Sequence, residues 1–112
     1  MATKNSFQRL ASLRPANTTE AKLYGPASGE EAVGEVFICN NTSSAAVYRI
    51  AITDTDAAAT AADGDFIVFD KSLKANDTET ISFHLANPHT IRVKSGTSDA
   101  ISFVAMGNEI TL

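Results

Sequence analysis

The amino-acid sequence predicts an all-β fold, an antiparallel β-sandwich of about seven or eight short strands with an N-terminal arm. Three observations support this prediction. Apolar and polar residues alternate with a period of two from about residue 20, polar turn residues separate the short runs, and no stretch of the body has the pattern of a long amphipathic helix. The pattern is typical of an immunoglobulin-like or a jelly-roll sandwich and leaves the strand order open.

The N-terminal segment differs in composition from the rest, which predicts an arm at residues 1–19 and a sandwich domain at 20–112. Phe7, Leu10 and Leu13 recur at every third position, so a short helical turn with three apolar groups on one face is expected. An apolar face of this kind needs a cover. Either the protein's own domain or a neighbouring subunit can bury this face, and the sequence leaves both options open.

The predicted strands follow one another at short intervals through the sandwich domain. Residues 32–40 and 46–53 flank a polar turn, and we expect them to pair as a hairpin. Residues 54–64 have the composition of a long loop of small side chains. The other predicted strands are 20–24, 65–70, 78–85, 90–94 and 100–106, with a continuation at 109–112 after an interruption at Gly107-Asn108.

Charge is distributed unevenly along the chain, which has a net charge of −4. The first 14 residues contain Lys4, Arg9 and Arg14 and no acid, whereas the remainder carries six basic and thirteen acidic residues, a net of −7. A basic segment on an acidic body favours binding to an acidic neighbour, including another copy of the chain. Nucleic acid is not an expected partner, because three basic charges are few and the acidic body repels phosphates.

Length and hydropathy bound the class of protein. The 112 residues fit one domain, and a hydrophobic content of 44% suffices for one core. No apolar run approaches the roughly 20 residues of a membrane helix, and the N-terminus lacks the apolar stretch of a secretory signal. We therefore expect folding in a cytoplasm, with no membrane partner.

Residues with catalytic or metal-binding chemistry occur without a supporting pattern. Cys39, the single cysteine, lies in an apolar strand-like run and is expected to be a small core side chain. His84 and His89 are five positions apart, but a zinc site needs three or four ligands. No nucleophile elbow or phosphate-binding loop is present, so neither an enzyme nor a cofactor is predicted.

Aspartates near one loop leave a calcium-binding or carbohydrate-binding module as an alternative. Asp54, Asp56, Asp63 and Asp65 bracket the loop, and Asp70 is close in sequence. Carboxylates at such spacing can supply oxygen ligands to Ca²⁺, although the spacing does not match an EF-hand. The default interpretation is a set of solvated turn aspartates.

Several short runs of residues follow one another in an order that covers nearly the whole chain. They are FQRLASLRPANTT at 7–19 leading into Leu23-Tyr24, VFICNNT at 36–42, AVYRIA at 46–51, ANDT at 75–78, IRV at 91–93 and FVAMGNEIT at 103–111. This order resembles a family of small virion proteins of tailed bacteriophages, of the cyanophage and marine-phage type. The chain departs from the pattern before Ile91, where a glycine-containing turn is expected and Asn87-Pro88-His89 stands instead.

The resemblance implies a non-enzymatic virion protein that is made in the host cytoplasm and binds other virion subunits. One placement is a capsid decoration (cement) subunit on the major capsid protein; the alternative is a small tail, baseplate or fibre-attachment adaptor. A homo-oligomer is expected, with a trimer among the options. The residues predicted to make the contacts are those of the arm: Phe7, Arg9, Leu10, Leu13 and Arg14.

Overall fold

Antiparallel strands form two sheets that pack face to face in the computed structural model, which describes residues 2–3, 7–56 and 60–112. The all-β sandwich expected from the sequence is thereby confirmed. A 3-10 turn at Asp63–Asp65 precedes the sixth strand. The strands are β1 Ala2–Thr3, β2 Gln8–Leu13, β3 Ala21–Tyr24, β4 Glu30–Asn40, β5 Ala46–Thr53, β6 Phe66–Leu73, β7 Thr78–Ala86, β8 Thr90–Ser95 and β9 Ile101–Thr111.

Strand order distinguishes the two kinds of sandwich that the sequence left open. The first sheet has the order β2-β9-β4-β7, and β1 pairs with the same edge of β9 as β2, so these two share one edge position. The second sheet has the order β3-β8-β5-β6. The pairs β2·β9, β3·β8, β4·β7 and β5·β6 are therefore nested, like one long antiparallel ribbon that has been rolled up. This arrangement of eight strand positions is a jelly roll.

The core lies between the sheets and follows the alternation of the strands. On β4, Ala32, Val36 and Ile38 are fully buried, while Val33 and Phe37 between them face outward. Val36 and Ile38 each contribute about 1.5 to 3 kcal/mol through removal from water. The side chains of the core are thus the ones that the period of two selects.

The predicted hairpin of 32–40 with 46–53 is wrong, because β4 belongs to the first sheet and β5 to the second. The buried side chain of Asn40 holds the corner between them. Its Nδ2 donates to the carbonyl oxygens of Ser44 (2.9 Å) and Leu73 (3.0 Å), and its Oδ1 accepts from the backbone and hydroxyl of Thr42. These bonds satisfy the corner backbone, so the chain can change sheets within a short turn.

Two local predictions about the ends of the chain are also wrong. The helical turn expected at Phe7, Leu10 and Leu13 is absent, since Gln8–Leu13 is a strand with a bulge between Arg9 and Ala11. Pairing with β9 places this segment of the predicted arm on the protein's own domain. The interruption expected at Gly107-Asn108 does not occur either, because β9 runs through it against β4.

Candidate interaction surfaces

The arm residues predicted to make contacts are divided between the core and the surface. Leu10 and Leu13 pack against the core cluster. Arg14 is exposed and donates from Nη2 to Asn41 Oδ1 (3.1 Å) and to the carbonyl oxygen of Asp99. Arg14 therefore connects its own segment to the turns at one end of the sandwich. Phe7 and Arg9, the other two predicted contact residues, lie elsewhere.

Phe7 and Arg9 lie on the outer face of the first sheet. Phe7 is 56% exposed, and Arg9 is exposed opposite Met106 of β9. Lys4, the remaining basic residue of the predicted arm, lies outside the described residues. The structure thus leaves two of the five predicted contact residues available to a partner on one sheet face.

An outer-face patch, defined here by Phe7, Val33, Phe37, Val104 and Met106, extends across this face. Register places Phe37 opposite Val104, and Glu35 beside them opposite Met106. Val33 is 41% exposed, and Phe37, Val104 and Met106 are half-buried. These apolar side chains point away from the core because their sequence neighbours occupy it, so nothing in their own sheet covers them.

An open depression of about 500 Å³ lies between Phe7 and strands β4 and β7. Its lining includes Val33, Glu35, Ser82 and His84. Its apolar walls and open mouth suit a side chain or a flat protein surface better than an enclosed small molecule.

A second exposed surface, the arginine–aromatic patch, consists of Arg49, Phe66, Ile67 and Phe69 on the second sheet. The Arg49 guanidinium carbon lies 3.9 Å from the centroid of the Phe69 ring, and the Phe66 ring meets Phe69 edge-on at 5.1 Å. Phe69 is 56% and Ile67 53% exposed. The guanidinium thus stacks on an aromatic ring that still presents much of its surface to solvent.

The geometry of this patch depends on irregular pairing between β5 and β6. Register shifts between Tyr48 and Ile50 and again between Ile50 and Ala51, so extra residues of β6 bulge outward beside Arg49. Asp70 has a φ of 50° there, and it accepts hydrogen bonds from Arg49 Nε (2.7 Å) and Nη2 (3.0 Å). The hydrogen bonds from Arg49 lower the pKa of Asp70. This patch is not predictable from the local sequence, because the run at residues 66–69 has the composition of a core strand.

A buried ion pair stabilises the outer face beside the patch. Arg92 Nε lies 2.6 Å from Glu20 Oε2, and the two side chains are only 10% and 11% exposed. The same carboxylate oxygen accepts a hydrogen bond from the backbone of Ala61 (2.9 Å). Glu20 therefore links β8 to the loop that precedes β6, and the pair supports the wall of a depression of about 370 Å³ that includes Arg49, Phe66 and Lys94.

The aspartates that suggested a calcium site are dispersed. Asp56 pairs with Lys22 at 2.9 Å, Asp65 accepts from the backbone of Ala62, and Asp70 pairs with Arg49. In residues 7–56 and 60–112, no group of three or more His, Cys, Asp or Glu side chains is placed to hold a metal ion. Residues 57–59 of that loop lie outside the described part of the chain.

The other residues with reactive chemistry are also separated. His84 Nε2 lies 3.4 Å from Glu31 Oε2 on an exposed rim of the first sheet. Cys39 is half-buried on β4, between Thr78 and Ser102 of the flanking strands. It occupies a row facing away from the core, so its predicted role as a core side chain is wrong. No helix in the described segments has the length and apolar character needed to cross a membrane.

Comparison with known proteins gives weak structural similarities only. No family model and no curated protein matches the chain. It is similar to the coat protein of Tobacco streak virus, with 12% identity over 98% of this chain and 83% of that chain and a TM-score of 0.46. It is also similar to the CBM22-1–GH10 modules of the endo-1,4-beta-D-xylanase 10B of Clostridium thermocellum, complexed with xylohexaose. That match has 14% identity over 83% of this chain, 19% coverage of the xylanase chain and a TM-score of 0.41. Neither similarity bears on function at these TM-scores.

Proposed function

We propose that this protein is a non-enzymatic structural subunit of a tailed-phage virion, and specifically a decoration (cement) subunit that binds neighbouring capsid proteins. The observation that carries the proposal is the exposure of two separate apolar surfaces on opposite outer faces of the sandwich. The outer-face patch belongs to the first sheet and the arginine–aromatic patch to the second. A subunit with two contact surfaces can bridge two neighbours, which is what a cement subunit does.

The composition of both patches supports a role in protein–protein contacts. The cores of interfaces are enriched in aromatic residues, methionine and arginine, and depleted in lysine and acidic residues. Phe7, Phe37 and Met106 fit this description on one face, and Arg49 and Phe69 fit it on the other. The family of phage virion proteins that the sequence resembles supplies the class of partner.

The charged groups near the depressions support binding rather than catalysis. Arg49 is engaged by Asp70, and Glu20 by Arg92. A catalytic site needs such groups to be directed at a reacting atom, with pKa values matched to proton transfer. Here the same groups are used to hold the surface in shape.

The first experiment is the measurement of copy number in purified phage particles by quantitative mass spectrometry. Hundreds of copies per particle are expected for a capsid decoration subunit. A few to a few dozen copies would instead favour the second placement, a tail, baseplate or fibre-attachment adaptor. Absence from the particles would contradict both placements.

A second experiment tests the two surfaces with matched variants. Val33→Asp and Phe69→Asp each place a charge in one patch, and each is expected to reduce the occupancy of added protein on undecorated capsids about tenfold, since a charge buried in an apolar contact is costly. Thr55→Asp adds the same charge at an exposed loop position and serves as the control. Unchanged occupancy with both patch variants would contradict a bridging role.

A further inference from the structure

The four edge strands of the sandwich differ in how well they are protected from pairing with another chain. β3 has only four residues and a register shift, and β2 carries a bulge. β6 has two register shifts and the positive φ of Asp70. β7 pairs with β4 over nine consecutive positions, from Glu31 opposite Ala86 to Cys39 opposite Thr78, without a shift. It contains neither proline nor lysine, and its one acidic side chain, Glu79, lies in the inward-facing row and is paired with Lys71, so β7 is the least protected of the four edges.

The hydrogen bonds at the two ends of this ladder determine which backbone groups of β7 point outward. Asn40 donates its N–H to the carbonyl of Asp77 (3.0 Å), and Asn87 donates to that of Glu30 (3.1 Å). These two bonds make the terminal residue pairs of the ladder non-hydrogen-bonded pairs. Because the two kinds of pair alternate in an antiparallel ladder, every second residue of β7 directs its N–H and C=O away from β4.

The outward-directed residues in the middle of the strand are Thr80, Ser82 and His84. At the ends, the Thr78 N–H is bonded to the Asp77 side chain (2.9 Å), and the Ala86 carbonyl accepts from His89 (3.0 Å). For the three middle residues, no partner of the outward N–H and C=O groups is found among residues 7–56 and 60–112. Their side chains are exposed as well.

We propose that this edge pairs with β7 of a second copy, antiparallel, about a two-fold axis at Ser82. Ser82 is the central residue of the nine, so this register pairs the whole strand. It places Ser82 opposite Ser82 of the second copy and Thr80 opposite His84 of the second copy. Each of the three hydrogen-bonded residue pairs at 80, 82 and 84 exchanges two bonds, so about six hydrogen bonds form. The first sheet of one copy and the first sheet of the other then become one continuous sheet.

The side chains of β7 are compatible with this self-pairing. The register places Ile81 opposite Phe83 on the inner face, which continues the row of core side chains across the axis. Glu79 faces Leu85 of the second copy rather than a like charge, and within its own chain it is already paired with Lys71 at 2.6 Å. A second copy fits this edge because the register places no like charges opposite each other and pairs the apolar Ile81 with Phe83. The surface is independent of where in a virion the protein is placed.

Cysteine cross-linking tests both the contact and its register. In a Cys39→Ser background, Ser82→Cys is expected to form an intermolecular disulfide, because facing residues of a hydrogen-bonded pair have Cα atoms about 5.5 Å apart. Thr80→Cys alone is expected not to cross-link, since the register separates the two copies of residue 80 by roughly 13 Å. A mixture of Thr80→Cys and His84→Cys chains is expected to give the mixed dimer.

A charge exchange at the axis provides the second test. Ser82→Lys and Ser82→Asp are each expected to be monomeric in analytical ultracentrifugation, because like charges face each other across the axis, and an equimolar mixture is expected to dimerise. The melting temperature of each variant checks that the exposed substitution leaves the fold intact. A wild-type protein that stays monomeric up to millimolar concentration would overturn the proposal. Equal cross-linking at positions 80, 82 and 84 would overturn it too, as would dimerisation unaffected by either charge.

Discussion

The two sheets of the sandwich have similar inner faces and different outer faces. The outer face of the first sheet is largely apolar across its middle, where Phe37 lies opposite Val104. The outer face of the second sheet carries basic side chains on neighbouring strands, with Lys22 opposite Arg92 and Arg49 opposite Lys94. The first sheet thus leaves apolar groups uncovered across its middle, whereas the second combines exposed apolar side chains on β6 with basic side chains on the neighbouring strands.

The difference extends to what holds each sheet together. In the first sheet, Gly34 and Gly107 face each other where the backbones of β4 and β9 come very close. In the second sheet, acidic partners compensate the basic side chains, most completely in the Glu20–Arg92 pair. The first sheet therefore depends on a close backbone approach and the second on paired charges. Four substitutions test the two sheets and the contacts between them, in order of decreasing expected effect.

The largest effect is expected for Gly34→Ala in the first sheet. A Cβ atom at this position would lie 2.7 Å from Gly107 Cα and closer still to the carbonyl oxygen of Met106, so two central strands would have to separate. We expect the free energy of unfolding to fall by about 3 kcal/mol. Urea denaturation followed by circular dichroism measures it. Gly64→Ala is the control, because a Cβ there meets nothing within 4 Å, and an equal loss in both variants would contradict the explanation.

Glu20→Ala tests the second sheet and is expected to cost about 2 kcal/mol. The loss is smaller than for a fully buried ion pair, because the side chains of Glu20 and Arg92 keep about a tenth of their exposure. The exposed pair of Lys22 with Asp56 is the control, and Lys22→Ala is expected to cost less than about 1 kcal/mol. Similar losses from the two variants in thermal denaturation would show that burial of the pair is unimportant.

Tyr48→Phe tests a connection between the sheets, with an expected cost of about 1 kcal/mol. Tyr48 of the second sheet is buried, and its hydroxyl donates to Glu79 Oε1 of the first sheet (2.9 Å). Burial raises the pKa of the Tyr48 phenol, and the hydrogen bond to Glu79 raises it further, so the group remains a donor. Tyr24→Phe removes the corresponding bond to Glu109 (2.7 Å) and should have a similar effect in chemical denaturation. No loss in either variant would contradict a stabilising role for these bonds.

The smallest effect is the pH dependence associated with Glu79. Hydrogen bonds from Lys71 and then from Tyr48 lower the pKa of its carboxyl below the usual value of 4.5. Because the folded-state pKa is the lower one, the stabilisation is present above pH 4.5 and is lost as pH falls through the folded-state pKa. The stability difference between the wild type and Glu79→Gln should therefore shrink in acid. An NMR titration should show the pKa of Glu79 rising in Lys71→Met, and an unchanged titration would contradict this assignment.

Several elements of the fold were predictable from local patterns. The strand at residues 46–53 was predicted with the bounds it has, because its alternating side chains obey the period of two and its ends carry turn residues. The helical turn at Phe7, Leu10 and Leu13 was not correct, because a bulge in β2 lets residues three apart pack in a strand. A bulge depends on the partner strand, so no local pattern announces it.

The contact surfaces were harder to predict than the strands. For the apolar arm residues, burial against the protein's own domain and burial against a neighbouring subunit were both open, and Leu10 and Leu13 pack on the protein's own core. Phe69 belongs to an apolar run at residues 66–69, yet it lies exposed against the Arg49 guanidinium. In both cases the deciding factor is which side of a bulged strand faces the core, and pairing between distant segments determines this.

The sequence by itself determined that the protein is built from short strands with one buried face, since side-chain alternation is a local consequence of backbone geometry. Only the tertiary structure decided that β4 and β5 lie in different sheets, that the strands follow the jelly-roll order, and that β7 forms a long regular edge. Those features arise from hydrogen bonds between residues far apart in the chain. Alternation along one segment identifies a strand and its buried face. Which strand pairs with it is determined by the jelly-roll topology.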